Sequence, residues 1–425
     1  MTDTIFALSS GAPPAAIGVI RISGPRAGAA LEALAGRLPQ PRYASLARLR
    51  DQQGALLDEA LVLWLPGPNT ETGENVAELQ CHGGRAIVAA IEAALGLLPG
   101  LRRAGPGEFT RRAFANGKID LAQAEGLADL LEAETELQRQ SAMAMAGGAF
   151  SRTVEHWRGE LLQLSAALEA VLDFADEDDV ATLPADFAMR IGALEDQLAA
   201  WLTRPRAEAL REGFRVVIAG PPNLGKSTLF NTLVQADAAI ATPIPGTTRD
   251  VLTRPVSYEG IPFLFADTAG LHDATDDAVE AIGIERALEA LDRADLVLWL
   301  GPEGEGPPGA WEIASQIDRE DSLVKRHARH RISALSGAGI DALRADLIAT
   351  ARQAMPKPGE AALNQRQHDL LRDAARSLGQ ARREVDPLLA AEGLRLARVD
   401  FDALLGRTTT EDMLDTLFGR FCIGK

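Results

Sequence analysis

Apolar positions change their period three times along the chain. Short β-like runs come first: AIGVIRIS (Ala15 to Ser23), ALVLWLP (Ala60 to Pro66) and VAELQ (Val76 to Gln80), with a helical stretch after Gly84. That mixture predicts a small α+β domain. After Lys118 the apolar residues fall three, four or seven apart, at Leu121, Ala124, Leu127 and Leu131, then Val154, Trp157, Leu161, Leu164, Leu168 and Leu172. This is the spacing of amphipathic helices. At Phe214 the period shortens again: FRVVIAG reads as a buried strand and Lys226 to Leu233 as a helix. Further runs at Ile261 to Ala266, Leu296 to Leu300 and Arg331 to Leu335 alternate with helical segments such as Val279 to Leu291. Such alternation predicts a parallel sheet covered on both faces. GPEGEGPPG (Gly301 to Gly309) reads as an exposed loop. From Ala361 helices return, and Thr409 with Asp412 forms a capping pair ahead of Met413, Leu414 and Leu417. The simplest architecture is an α/β domain, about 211 to 355, inserted into a helical domain.

Bulk properties narrow the class. A chain of 425 residues exceeds one ordinary core, so two or three domains are expected. With 46% apolar and 24% charged residues it reads as folded and soluble. A formal charge of −17 argues against a large autonomous nucleic-acid surface, so any RNA contact is local or shared. The opening MTDTIFALSSGAPP lacks a basic stretch followed by an apolar one, and no run approaches about 18 apolar residues. The expectation is a cytoplasmic protein. Cys81 and Cys422 lie far apart, without the spacing of a disulfide framework or zinc site.

GPPNLGKST (Gly220 to Thr228) carries the clearest chemistry. It matches G-x-x-x-x-G-K-[ST] between a strand and a helix. Gly220 and Gly225 let the backbone curl so that the N–H groups of Asn223, Leu224, Gly225, Lys226, Ser227 and Thr228 face phosphates at a helix N-terminus. Lys226 reaches the β- and γ-phosphates and the Ser227 hydroxyl ligates magnesium in this reading. Asp267 opens DTAG, where its carboxylate holds magnesium through water and Thr268, Ala269 and Gly270 border the γ-phosphate. GTTRD between them offers Thr248 as a further magnesium ligand. Leu271 stands where Ras-like enzymes place a water-orienting glutamine, leaving that task elsewhere, with Glu280 within reach. The guanine-reading N-K-x-D motif is missing. The best-aligned stretch offers Arg326, His327, Ala328 and Arg329, and Arg329 cannot accept a hydrogen bond. SALSG remains, with Ser333, Ala334 and Leu335 beside the base. Guanine stays the better expectation, with weakened selectivity.

Taken together, DTIFALSS, GVIRISGP, TGENVAELQCHGG, PGEFTRRAFANGKIDLAQAE, GPPNLGKSTLFN, PGTTRD, DTAG, VEAIGIER and the terminal FCIGK resemble the MnmE (TrmE) family of GTPases. The resemblance spans essentially the whole chain. It implies a multidomain α/β and α architecture: an N-terminal α+β folate-binding-like and dimerisation domain at 1–118, a discontinuous α-helical domain at 119–210 and 356–425, and an inserted Ras-like P-loop α/β G domain at 211–355. It further implies GTP with magnesium, and potassium held by Asn223, the Thr242 and Ile244 carbonyls and Thr247. Glu280 becomes the water-orienting residue. Arg21, Glu78, Lys118 and Lys425 become contacts to 5-formyltetrahydrofolate or a related tetrahydrofolate, and Cys422 a participant in the modification chemistry.

The implied activity is a potassium-stimulated GTPase. As a homodimer it joins a flavin-dependent GidA-type (MnmG) subunit in a heterotetramer and adds an aminomethyl-derived group, of the carboxymethylaminomethyl type, to C5 of the wobble uridine of tRNA, with no membrane involvement. Two other readings stay open on residues alone. One is an RNA-associated regulatory switch without modification chemistry; the other is a triphosphatase that accepts purines generally.

Overall fold

The computed structural model describes residues 3–173, 184–235, 252–267, 289–408 and 410–424. The chain divides into two compact units, Met1–Ala128 with Phe401–Lys425, and Asp129–Asp400.

The first unit is built on a six-stranded sheet: β1 (Thr4–Leu8), β2 (Ile17–Ser23), β3 (Ser45–Arg50), β4 (Leu56–Leu65), β5 (Val76–His82) and β6 (Leu101–Arg103), in the order β3-β4-β5-β2-β1-β6. All neighbours are antiparallel except β1 and β6. Its strands alternate as half-buried strands must: Ile20 and Ile22 of β2 point into the core while Arg21 between them stays partly accessible. Ala27, Leu31 and Leu34 of the helix Ala27–Ala35, and Val88, Ile91 and Leu95 of the helix Arg85–Gly96, join the core formed on that side. β1, β3 and β6 are additional to the strands that the apolar pattern predicts. β3 alternates with exposed residues such as Leu46, and β6 has three residues, too few for a period to register.

The second unit holds the nucleotide-fold sheet: β7 (Phe214–Ala219), β8 (Leu252–Tyr258), β9 (Ile261–Asp267), β10 (Leu296–Trp299), β11 (Trp311–Ala314) and β12 (His330–Arg331), in the order β12-β11-β10-β7-β9-β8. Five strands are parallel, but β8 pairs antiparallel with β9, so the sheet is mixed at one edge rather than wholly parallel. The hairpin between them turns on Glu259 (φ 48) and Gly260 (φ 79), the two positive φ values that a tight two-residue turn demands. Phe214, Val216, Ile218, Phe263, Phe265, Leu298 and Ile313 from the strands pack with Leu229, Leu233, Leu343 and Leu347 from helices in one core. The strand expected at Arg331 to Leu335 is limited to His330–Arg331, because Ser333 starts a tight turn: its N–H donates to Ala338 and its carbonyl accepts from Gly337. Of the expected helix Val279 to Leu291, residues 279–288 lie outside the described residues.

The helices of the second unit follow the predicted periodicity. In Ala149–Asp173, Val154, Trp157, Leu161, Leu164 and Leu168 are all buried. Thr135 with Gln138, and Asn364 with Gln367, form reciprocal capping boxes that start two further helices. In the first unit, near the C-terminus, the helix Glu411–Phe418 packs Leu414, Leu417 and Phe418 against Leu121, Ala124 and Ala128. Its N-cap is Thr410, whose side chain makes no cap bond, so the Thr409 and Asp412 pair does not open it as expected; Thr409 itself lies outside the described residues.

Candidate functional site

The parallel strands β7, β9 and β11 end on one edge of the sheet, the edge where open α/β folds bind ligands. The chain leaving β7 curls through Gly220 (φ 143), Asn223 (φ 64) and Gly225 (φ 82) into the helix Lys226–Gln235. Gly220 is required by space as well as by φ: a Cβ there would meet the Gly301 nitrogen at 2.9 Å. Lys226 is 4% exposed, with Nζ donating to the Pro221 carbonyl at 2.8 Å. Burial holds its amine below the usual lysine range, partly opposed by the Asp267 carboxylate. Asp267, 1% exposed, ends β9 in register with Ile218 of β7. Ser227 and Thr228 are exposed on the first turn of the helix, and Asn223 is exposed ahead of it. The donor set suits a nucleoside triphosphate with magnesium: a hydroxyl and an ammonium at a helix N-terminus and a carboxylate at the end of the adjacent strand β9.

At the base end the structure corrects the sequence alignment. The strand that follows β10 is β11, and the residues leaving it are Ser315, Gln316, Ile317 and Asp318. This is the place of N-K-x-D, filled by S-Q-I-D. The Ser315 hydroxyl donates to the Leu224 carbonyl at 2.9 Å, and Gln316 Nε2 donates to the Asn223 carbonyl at 3.1 Å. Asp318 is exposed beyond them. Arg326 and His327 instead donate backbone N–H groups to Glu303, while the Arg329 guanidinium lies 3.7 Å over the Trp311 ring and its Nε bonds Asp346. The signal is in the sequence, an Asp three residues after a serine that follows a short apolar run, but WEIA is four residues long, too short for its period to register. Ser333 is fully buried, the Ala334 carbonyl accepts from Thr232 on the phosphate-loop helix, and Leu335 is exposed. These contacts bring SALSG to the same edge.

In the first unit, Arg21 on β2 stands opposite Glu78 on β5. Its Nε and Nη2 both donate to Glu78 Oε1 at 3.0 Å, and Nη1 pairs with Glu71 at 2.7 Å. Lys118 is exposed, and its side chain lies across Gly73, where a Cβ would meet Lys118 Cε at 3.1 Å. The segment Glu71–Glu74 thus brings Arg21, Glu78 and Lys118 to one place. Beneath it Arg112, fully buried, bonds Asp3, Glu74 and Glu108. Glu71 and Arg112 were not singled out from sequence, since either alone resembles an ordinary charge. Cys422 is exposed, its carbonyl accepting from the Gly107 N–H at 3.4 Å. Thr242, Ile244, Thr247, Thr248, Thr268, Ala269, Gly270, Glu280 and Lys425 lie outside the described residues.

The chain matches the family model for the GTP-binding protein TrmE N-terminus over residues 4–118 and that for the MnmE helical domain over residues 121–422. A tRNA modification GTPase MnmE from Novosphingobium aromaticivorans is 64% identical, covering 100% of both chains. The protein of that name from Erythrobacter litoralis is 63% identical, again over 100% of both. Among solved structures, the G domain of the T. maritima FeoB iron transporter is 22% identical over 32% of this chain and 98% of that one, with a TM-score of 0.24. With end-to-end identity above three-fifths and both family models accounting for nearly every residue, the chain belongs to the MnmE (TrmE) family of tRNA modification GTPases.

Proposed function

We propose that this tRNA modification GTPase is potassium-stimulated and works as a homodimer with a flavin-dependent GidA-type subunit. Together they install an aminomethyl-derived group on C5 of the wobble uridine of tRNA in the cytoplasm. The observation that carries the reading is the edge on which the buried Lys226 and Asp267 meet the S-Q-I-D segment, in a chain whose relatives match it from end to end. Among the described residues no helix is long and apolar enough to cross a membrane.

Each end of the site has its task. Loop N–H groups between Asn223 and Thr228 and the Lys226 ammonium bind the phosphates. Ser227, Thr248 and Asp267 would hold magnesium, which when bound supplies positive charge against the β- and γ-phosphates. Asn223, an exposed residue, would hold potassium together with Thr242, Ile244 and Thr247. Glu280 orients the attacking water. Asp318, rather than any residue of Arg326 to Arg329, accepts the two guanine N–H bonds, and the Ala334 N–H faces the guanine carbonyl. In the N-terminal domain, 1–118, Arg21 and Lys118, together with the C-terminal Lys425, attract the carboxylates of a tetrahydrofolate and Glu78 reads its pterin edge. Exposed Cys422 serves the modification itself.

Deleting the gene and analysing tRNA nucleosides tests the whole: loss of the wobble modification is expected, and unchanged wobble uridines would remove the claim. GTP and ATP turnover compared in potassium and sodium tests the site, with equal rates in all four conditions excluding a potassium-dependent GTPase.

A further inference from the structure

Two carboxylates divide the Arg21 guanidinium between them, and they are held in opposite ways. Glu78 is fixed by the register of β2 with β5, is 16% exposed, and accepts from Nε and Nη2 at 3.0 Å. Glu71 stands in the connection between β4 and β5, is 63% exposed, and covers the other edge of the fork, with Nη1 at 2.7 Å and Nη2 at 3.3 Å. The connection does not depend on that pair. Thr70 Oγ1 donates to the Glu74 carbonyl at 2.6 Å and Asn116 Nδ2 to the Thr72 carbonyl at 2.7 Å. The fully buried Thr72 shares a hydroxyl bond of 2.7 Å with Ser23. Bonds on both sides of Glu71 thus fix the backbone that carries it, while its carboxylate stays open to solvent.

We infer that Glu71 is an internal competitor for a folate carboxylate: it holds the outer edge of Arg21 until folate binds and takes that edge back as folate leaves. One guanidinium edge accommodates one carboxylate in paired N–H bonds, so Glu71 and a ligand carboxylate exclude each other there. Displacing Glu71 is easy, because an exposed ion pair contributes little against water and screening, and a folate is held at other points of the site as well. Glu71 then finds water in place of Arg21. During release the balance reverses, since a carboxylate tethered beside Arg21 acts at high effective concentration and closes the edge behind the departing ligand. Glu78 cannot act in this way, because the strand pairing keeps its carboxylate where it is. The result is a site that binds folate less tightly and exchanges it faster than Arg21 alone would.

This inference rests on the folate reading of the N-terminal domain, and its test separates the two. Glu71→Gln keeps the size of the side chain and removes its charge; Glu71→Ala removes the competing group altogether. Neither touches the bonds of Thr70, Thr72 and Asn116 that hold the turn. Two probes are titrated into the full-length protein: 5-formyltetrahydrofolate, and its diamide, in which both glutamate carboxylates are neutral. Both variants are expected to bind the folate about two- to fivefold tighter, the range set by an exposed ion pair, and to release it correspondingly more slowly in a chase with excess ligand. Affinity for the diamide is expected to stay at the wild-type value. Folate binding that is unchanged or weaker in Glu71→Gln would overturn the inference, and so would equal tightening for both probes, which would mean that Glu71 acts on the site generally and not on the tail carboxylates. Wild-type protein that binds no 5-formyltetrahydrofolate would overturn the folate reading itself and the inference with it.

Discussion

The Ser315 hydroxyl donates to the Leu224 carbonyl at 2.9 Å, so the end of β11 is tied to the phosphate loop. In the proposed nucleotide site, Asp318, three residues on, is the residue on which guanine preference depends.

Asp318→Ala should therefore reduce GTP kcat/KM by about two to four orders of magnitude, because two charge-assisted bonds of about 1.5–3 kcal/mol each are lost. ATP turnover should hardly change. Asp318→Asn exchanges acceptor for donor and should favour XTP, whose C2 carries an oxygen. Arg329→Ala, by contrast, should leave the GTP to ATP ratio intact and lower only the melting temperature, since Arg329 is occupied by Trp311 and Asp346. Steady-state kinetics with the three nucleotides check all of this.

Arg112→Met should be among the most destabilising changes in the N-terminal unit. The guanidinium is fully buried and is shared by Asp3, Glu74 and Glu108, so its removal strands carboxylates at about 3–5 kcal/mol. Denaturant titration of the variant should show a correspondingly earlier midpoint.

Asp400 gives a pH dependence with a definite sign. Burial, then repulsion from Asp373, lifts its pKa to about 6 against the opposing Arg376. A carboxyl raised above its unfolded value of 3.8 favours the fold when protonated, and that contribution is lost as pH rises from about 4 through about 6. Asp400→Asn should thus be more stable than wild type above pH 7, by about 1 kcal/mol once solvent screening of a half-exposed group is allowed for, and the difference should vanish near pH 4. Melting temperatures across that range decide it.

Arg21→Ala should weaken 5-formyltetrahydrofolate binding by tenfold or more, as one charge-assisted contact is removed, while leaving GTP turnover unchanged. Because Glu78 and Glu71 both lose their partner, the Arg21→Ala, Glu71→Gln double variant, which relieves the charge imbalance without touching Glu78, separates folate contact from local charge. Calorimetric titration with the folate is the measurement.

Sequence alone determined the fold class, the phosphate loop with Lys226, and the amphipathic helices, because glycine spacing and hydrophobic period are local properties of the chain. The nucleotide loop needed no tertiary information: strand, curl and helix are consecutive from Phe214 to Gln235. The base end was different. Its strand has four residues and its motif departs from N-K-x-D at two positions, so only the pairing of β11 with β10 identified Ser315–Asp318, and only the Trp311 stack removed Arg329 from the site. The folate-side cluster likewise depended on register: Arg21 and Glu78 are 57 residues apart and meet because β2 pairs with β5. Residues remote in the chain become one site through strand pairing and packing, and a single sequence carries no local period that reports which strands will pair.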